Sequence, residues 1–423
     1  MFSWLTGGGS PSKQEGGGGG TPRSALSSPS AAGAGAKEPG FQTTTGSTCL
    51  VTGSSGLVGA RLVEMLLERG AEHVICFDIT CPDAELERRF DAASEKYGGK
   101  ITLRCGVDEG DLTSDEAVDV AFKCASEAGS SSKKIDVVYH IGALVGPFFD
   151  RSKYHDVNHH GTIRIIDNCR RYGVPKLVYS SSPSTRFTGK DVTGQREEEL
   201  PMPESGWLAM YAEAKAYGEM AVSKACCDDL LTVSVAPHQV YGPYDKLFLP
   251  NLLETAGNGR LRIFGSGQNM ISVTYVDNYC HGLICASDAL VPSSPVLGKF
   301  YVVTDPRPVY FWKFVNDAVT AMGFTDLYSK FHLPVWLLYT LAYAANVVGW
   351  CIKKKFKLNP FNVKMLIIHR YFSIENAQRD LQYQPVVDQD EAWTSTIQWF
   401  KENWLPGYLE KNQSGGTTSK KCD

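Results

Sequence analysis

The stretch Thr48–Gly70, TCLVTGSSGLVGARLVEMLLERG, limits the fold more than any other part of the chain. Cys49-Leu50-Val51 is a short apolar run of the kind a buried strand needs. Glycines follow at Gly53, Gly56 and Gly59, and Ala60 to Arg69 continues as an amphipathic helix. Strand, glycine turn and helix suit a dinucleotide pyrophosphate. Glycines allow close backbone approach, and a helix N-terminus offers free N–H groups and a favourable dipole. The spacing is GxxGxxG rather than GxGxxG, so the triplet has force only with the strand before it and the helix after it. The turn Gly53–Gly59, with Leu57 and Val58 inside it, is the predicted pyrophosphate contact. A glycine-rich turn without a ligand is the plainer alternative. The unit predicts an α/β chain built on a doubly wound parallel sheet.

Further strands carry the rest of the cofactor path. His73–Phe77 reads as a strand ending in Asp78, where a carboxylate accepts both hydroxyls of the adenosine ribose and repels a 2′-phosphate. That favours NAD over NADP. Ile101–Cys105 reads as a strand, followed by Gly110-Asp111-Leu112. Asp111 and Leu112 either border the adenine or start the helix across Ser114–Ala125. Ile135–His140 is the clearest central strand, and Ile141-Gly142-Ala143 puts small residues beside the cofactor, Ala143 among its contacts. Asn158, near the start of the helix Asp156–Tyr172, either bridges backbone groups or a water near the nicotinamide, or caps the helix.

The strand Lys176–Tyr179 runs into Ser180-Ser181-Ser182 and Pro183. Tyr211-Ala212-Glu213-Ala214-Lys215 follows within a run of helix formers, and the i,i+4 spacing sets Tyr211 and Lys215 on one helix face. An ammonium near a phenol favours the phenolate, which then takes the proton of an alcohol as hydride leaves the same carbon. Ser182 would hold that oxygen, and Lys215 would also bind the nicotinamide ribose.

Composition narrows the class further. The 423 residues carry 42 basic and 46 acidic side chains, a net charge of -4 that gives no reason to expect nucleic acid as a partner. The 12 cysteines form no CxxC or Cys/His cluster, so no metal site is expected and reduced thiols are the simpler reading. Residues 1–45, with the glycine run Gly16–Gly20, read as a disordered tail. Leu333–Cys351 is apolar over about 19 positions, ~28 Å as a helix, with Trp336 and Trp350 towards its ends and Lys353, Lys354, Lys355 and Lys357 beyond. It reads as a membrane-contacting segment that spans, re-enters or lies on the surface, or else as a buried helix.

VTGSSGLVG, Asp78, GDL at 110–112, LVYSSS at 177–182 and YAEAK at 211–215 together resemble the extended short-chain dehydrogenase/reductase superfamily. YSKFHLPVWLLY at 328–339 and Arg370-Tyr371-Phe372-Ser373 resemble its three-beta-hydroxysteroid dehydrogenase branch, especially the sterol-4-carboxylate 3-dehydrogenases. The resemblance implies that Tyr211 is the general base, Lys215 its support and Ser182 the catalytic serine, with Ser181 as the alternative. It also implies NAD-dependent, decarboxylating oxidation of a 3β-hydroxysterol bearing a 4α-carboxylate. Family members usually carry arginine where this chain has Ala236. On the family's pattern Pro237, after the strand Leu231–Val235, is expected to shape the nicotinamide pocket. The expected division is 46–236 for the nucleotide, 237–325 for a smaller interleaved substrate region, 326–358 at a membrane, 359–408 helical and 409–423 flexible. Lys420-Lys421-Cys422-Asp423 resembles an endoplasmic reticulum retrieval signal, which would place the catalytic part on the cytosolic side of that membrane. A homodimer is a further expectation. The competing classes are a 3β-hydroxysteroid dehydrogenase/isomerase, a nucleotide-sugar epimerase and a nonenzymatic sterol or nucleotide sensor.

Overall fold

The computed structural model describes residues 44–127, 134–146, 149–351 and 359–415. Most of the expected tail 1–45, the lysines after Cys351 and the terminal Lys420-Lys421 lie outside the described residues. Seven parallel strands form the central sheet: β1 (Thr48–Thr52), β2 (His73–Asp78), β3 (Lys100–Cys105), β4 (Val137–His140), β5 (Lys176–Ser180), β6 (Leu231–Ala236) and β7 (Phe300–Val302). Their order is β7-β6-β5-β4-β1-β2-β3. The chain therefore reverses direction between β1 and β4, and the crevice outside their carboxyl ends is where a doubly wound sheet binds its ligand. β1, β4 and β6 are buried at every residue, as a sheet covered on both faces requires. β4 starts two residues later than Ile135 suggested. Asp136 stands just before the strand, where its N–H donates to the Thr48 carbonyl and its carboxylate accepts the N–H of Thr48, both at 2.8 Å, pinning the start of β1.

The earlier and later halves of the chain interleave. β7 comes from the later half, yet it completes the central sheet beside β6. Val192–Gln195 leaves the earlier half for a four-stranded sheet with Arg370–Phe372, Met270–Ile271 and Val309–Tyr310. Helix Val276–Ala289 packs on helix Leu57–Glu68. Across that contact Arg61 donates to both oxygens of Asp277, at 3.0 and 3.1 Å. Asp277 holds Arg61, and Asn278 ties Asp305 to the backbone of Val386 and Val387.

Two further expectations change. Cys81 and Cys105 are joined in a disulfide, because the register Asp78↔Cys105 brings the segment after β2 over the end of β3. Cys49, Cys76, Cys124, Cys169, Cys226, Cys227, Cys280 and Cys285 are free. The apolar run forms helix Val335–Cys351, with 17 residues and a length of about 26 Å, short of a hydrocarbon core of about 30 Å. Leu333 is spent before the helix on a bridge to Phe264. Among the described residues no helix is long and apolar enough to cross a membrane. Leu338 and Ala342, one turn apart, are buried against Val363, whereas Trp336, Tyr343, Val347 and Trp350 are exposed. One narrow stripe docks on the protein and a wide apolar face remains outside.

Candidate active site

A cavity of about 2380 Å³ follows the carboxyl edge of the sheet from Asp78 and Asp111, past the glycine turn, to Ser182, Tyr211, Pro237 and Arg370. A single small-molecule pocket takes roughly 300–1,000 Å³, so this one has room for two ligands end to end.

The glycine turn forms one end. Gly53 has φ +73°, and a Cβ there would stand 2.8 Å from Cα of Gly142. A Cβ on Gly59 would stand 2.0 Å from the carbonyl oxygen of Gly53. The turn is closed by backbone against backbone, and any side chain would fill it. Gly56 stands at the N-terminus of helix Leu57–Glu68 with no side-chain cap, and Leu57 and Val58 line the cavity beside it. Asp78 accepts the N–H groups of Ser55 and Thr80 at 2.9 and 2.8 Å. Burial raises its pKa, against the lowering effect of those two bonds. Asp111 accepts the N–H of Thr113 at 2.8 Å, while Ser114 caps the helix, so capping falls to the later residue. Leu112 is buried and touches the space above Gly142, and Ala143 and Pro237 line the cavity. A glycine cradle at an open helix end, with a carboxylate at the ribose position, fits NAD.

A buried polar chain fixes this end. Thr52 Oγ1 accepts the N–H groups of Ile141 and Gly142, so its own proton goes to His140 Nδ1 at 2.7 Å. His140 then donates from Nε2 to Thr162, which donates to the carbonyl of Asn158. The imidazole is neutral in this arrangement, and burial first, then Lys215, pushes its pKa down to about 3. Asn158 bridges the backbone N–H and carbonyl of Leu144 at 2.8 and 2.9 Å, one of the two roles anticipated for it.

The other end holds the acid–base groups. Ser181 turns away from the cavity centre, its hydroxyl donating to Glu219 at 2.6 Å. Ser182 shares a hydrogen bond with Ser184 at 2.7 Å. Burial pushes the Tyr211 phenol up to about 12, and the neighbouring Ser182 hydroxyl works against that rise. Lys215 departs from the simple expectation. It shares the helix face of Tyr211, but its ammonium donates to the Ser180 carbonyl at 2.6 Å and lies 4.1 Å over the Tyr179 ring. Desolvation lowers its pKa to about 7, opposed by Glu219. The ring of Tyr154 meets Tyr211 edge-on, and its hydroxyl is held by the carbonyl of Gly146.

Arg370, part of the segment Arg370-Tyr371-Phe372-Ser373, has no role assigned from the sequence. In strand Arg370–Phe372 the alternation of side chains puts Arg370 and Phe372 on the cavity wall and Tyr371 on the other face. Arg370 is 3 % exposed, donates to the Met365 carbonyl at 3.2 Å, and burial lowers its pKa to about 9. His238, beside it, donates from Nδ1 to the Ser272 carbonyl at 2.6 Å and is kept neutral, its pKa brought to about 3 by burial and then by Arg370. No local motif announces Arg370. Pairing with Val192 and Ile271 carries it to the site.

Residues 50–335 match the 3-beta hydroxysteroid dehydrogenase/isomerase family. The chain belongs to that family. It is an oxidoreductase of the 3β-hydroxysteroid dehydrogenase type. Among its relatives is the human sterol-4-alpha-carboxylate 3-dehydrogenase, decarboxylating, 31% identical over 361 residues, covering 84% of this chain and 88% of the human protein. Another is the 2-alkyl-3-oxoalkanoate reductase of Stenotrophomonas maltophilia, 31% identical over 350 residues, covering 81% and 96%. The fold is shared with a UDP-glucuronic acid 4-epimerase from Bacillus cereus solved with NAD, at a TM-score of 0.58 and 20% identity over 84% of this chain and 99% of that one.

The geometry separates the serines. With an oxidisable substrate, Ser182→Ala should lower kcat about a hundredfold, the scale for losing one donor to a reacting oxygen. Ser181→Ala should cost much less. Steady-state kinetics of the two variants decide it, and the reverse order would reassign the role to Ser181.

Proposed function

We propose that this protein oxidises the 3β-hydroxyl of a 4α-carboxysterol to the ketone, with loss of the C4 carboxyl as carbon dioxide, in sterol biosynthesis. The cofactor is NAD, which when bound supplies the hydride acceptor. The observation that carries the reading is the pairing, in one cavity, of Ser182 and Tyr211 with a buried guanidinium at Arg370. Tyr211 accepts the proton of the 3-hydroxyl, Ser182 donates to the oxygen as it becomes a carbonyl, and Lys215, in its ammonium form one helical turn away, favours the phenolate. Arg370 would take the carboxylate on the neighbouring carbon. The product is a β-keto acid. When its C–C bond to the carboxyl breaks, the electron pair passes to the new carbonyl as an enolate, which Ser182 and Tyr211 can hold by hydrogen bonds.

The relative named as a 2-alkyl-3-oxoalkanoate reductase favours a second, wider reading. Its named substrate has the same arrangement, an oxo carbon next to the carbon that carries the carboxylate. This chain would then act on 3-hydroxy or 3-oxo acids other than sterols. A double-bond isomerase would need a second proton-transfer group, for which we have no candidate. A nucleotide sugar would leave the exposed apolar face of helix Val335–Cys351 unexplained.

Supplying NAD with carboxylated and uncarboxylated 3β-hydroxysterols, and identifying products by mass spectrometry, tests the reading. NADH formed together with a decarboxylated ketone supports it. Turnover only of uncarboxylated steroids, of small hydroxy acids or of nucleotide sugars defeats it. Arg370→Leu should lower kcat/KM for the carboxylated sterol by roughly 30-fold, about 2 kcal/mol, because it removes a buried charge pair.

We further propose that the exposed face carrying Trp336, Tyr343, Val347 and Trp350 rests in the cytosolic leaflet of the endoplasmic reticulum, where an insoluble sterol is available, and that the chain works there as a homodimer. Trp336→Ser with Trp350→Ser should shift folded protein from the membrane to the soluble fraction of a cell extract. Unchanged sedimentation would refute membrane contact through this helix.

A further inference from the structure

Glu219 stands one helical turn beyond Lys215, is 4 % exposed, and does not line the cavity. Three hydrogen bonds and one longer contact converge on its carboxylate. Ser181 donates at 2.6 Å, Arg186 donates through both terminal nitrogens at 2.6 and 3.0 Å, and the Thr185 hydroxyl lies at 3.3 Å. Arg186 also donates to Thr185 Oγ1 at 2.8 Å, and its guanidinium lies 3.4 Å over the Phe300 ring of β7. Thr185 has one proton to give, and the nearer acceptor is the carbonyl of Ser182, at 2.8 Å. The carboxylate therefore holds Ser182 from both sides, through Ser181 before it and through Arg186 and Thr185 after it. The N–H of Ser181 is tied to the Val235 carbonyl at 2.7 Å, so the clamp is also joined to β6.

We propose that Glu219, with Arg186, is the positioning residue that aims Ser182 at Tyr211. The inference rests on the dehydrogenase reading above. A carboxylate is required at this point because every neighbour is a donor. An amide would turn an N–H₂ group towards either Arg186 or Ser181 and release one side of the clamp.

The test is a double-mutant cycle on the full chain with NAD and an oxidisable substrate. Glu219→Gln should lower kcat at least about tenfold with little change in NAD affinity, and in the Ser182→Ala background the same change should cost less than about threefold, because residues acting as a unit are not additive. Thr185→Val, a milder variant, should behave in the same way if Glu219→Gln does not fold. Losses that multiply in both backgrounds would show a role in stability alone and overturn the proposal. A crystal structure of Glu219→Gln gives a readout that needs no turnover. Ser182 Oγ displaced away from the Tyr211 hydroxyl supports the clamp, and an unmoved Ser182 overturns it. If the wild-type chain oxidises no hydroxy acid or hydroxysterol, the functional reading fails, and the crystal structure still decides the role of Glu219.

Discussion

The structure depends on a contact between three glycines. Gly59 sits against the carbonyl of Gly53, and Gly53 against the backbone of Gly142, with no room for a Cβ at either meeting point. Helix Leu57–Glu68 can approach the sheet only because of this closure, and its open N-terminus faces the cavity as a result. The third glycine belongs to the segment after β4, so the contact also fixes where the chain passes from one half of the sheet to the other. Leu112 and Thr52 pack against the same glycine, and together they link β1, β3 and β4 at the crevice.

Polar groups then hold what the glycines bring together. Thr52, His140, Thr162 and Asn158 form an unbroken line of donors and acceptors from the cofactor end to the helix behind it. Each buried group has its partner, and a neutral imidazole is the only form the line allows. At the substrate end the design differs. Charges are kept: Glu219 with Arg186, Lys215 on a carbonyl, Arg370 in the cavity wall. Buried charges need close partners to be tolerated, and cations next to a reacting oxygen and a carboxylate would have work in the proposed reaction.

Local features made much of this legible in the sequence. The glycine turn, Asp78, the serine-ended strand and the i,i+4 pair Tyr211 and Lys215 are each recognisable within a few residues, and the structure gathers all but Lys215, which is buried behind the wall, along one cavity. The direction of Lys215 towards Ser180 was not legible, because it depends on how the helix lies across β5. Long-range pairing hid the rest. Arg370 reaches the site through a strand pairing with Val192, β7 joins a sheet begun some 250 residues earlier, and the Cys81–Cys105 bond follows from the register of β2 and β3. The run 333–351 announced a helix, but not that Leu333 would be drawn into a bridge with Phe264 before the helix begins.

The glycine closure and Asp78 together make a site for NAD. Calorimetric titration of the full chain and of Gly59→Val with NAD and NADP probes that site. The wild-type chain should bind NAD more tightly than NADP, and Gly59→Val, if folded by circular dichroism, should bind neither. Tighter binding of NADP, or undiminished binding of NAD by Gly59→Val, would contradict this assignment.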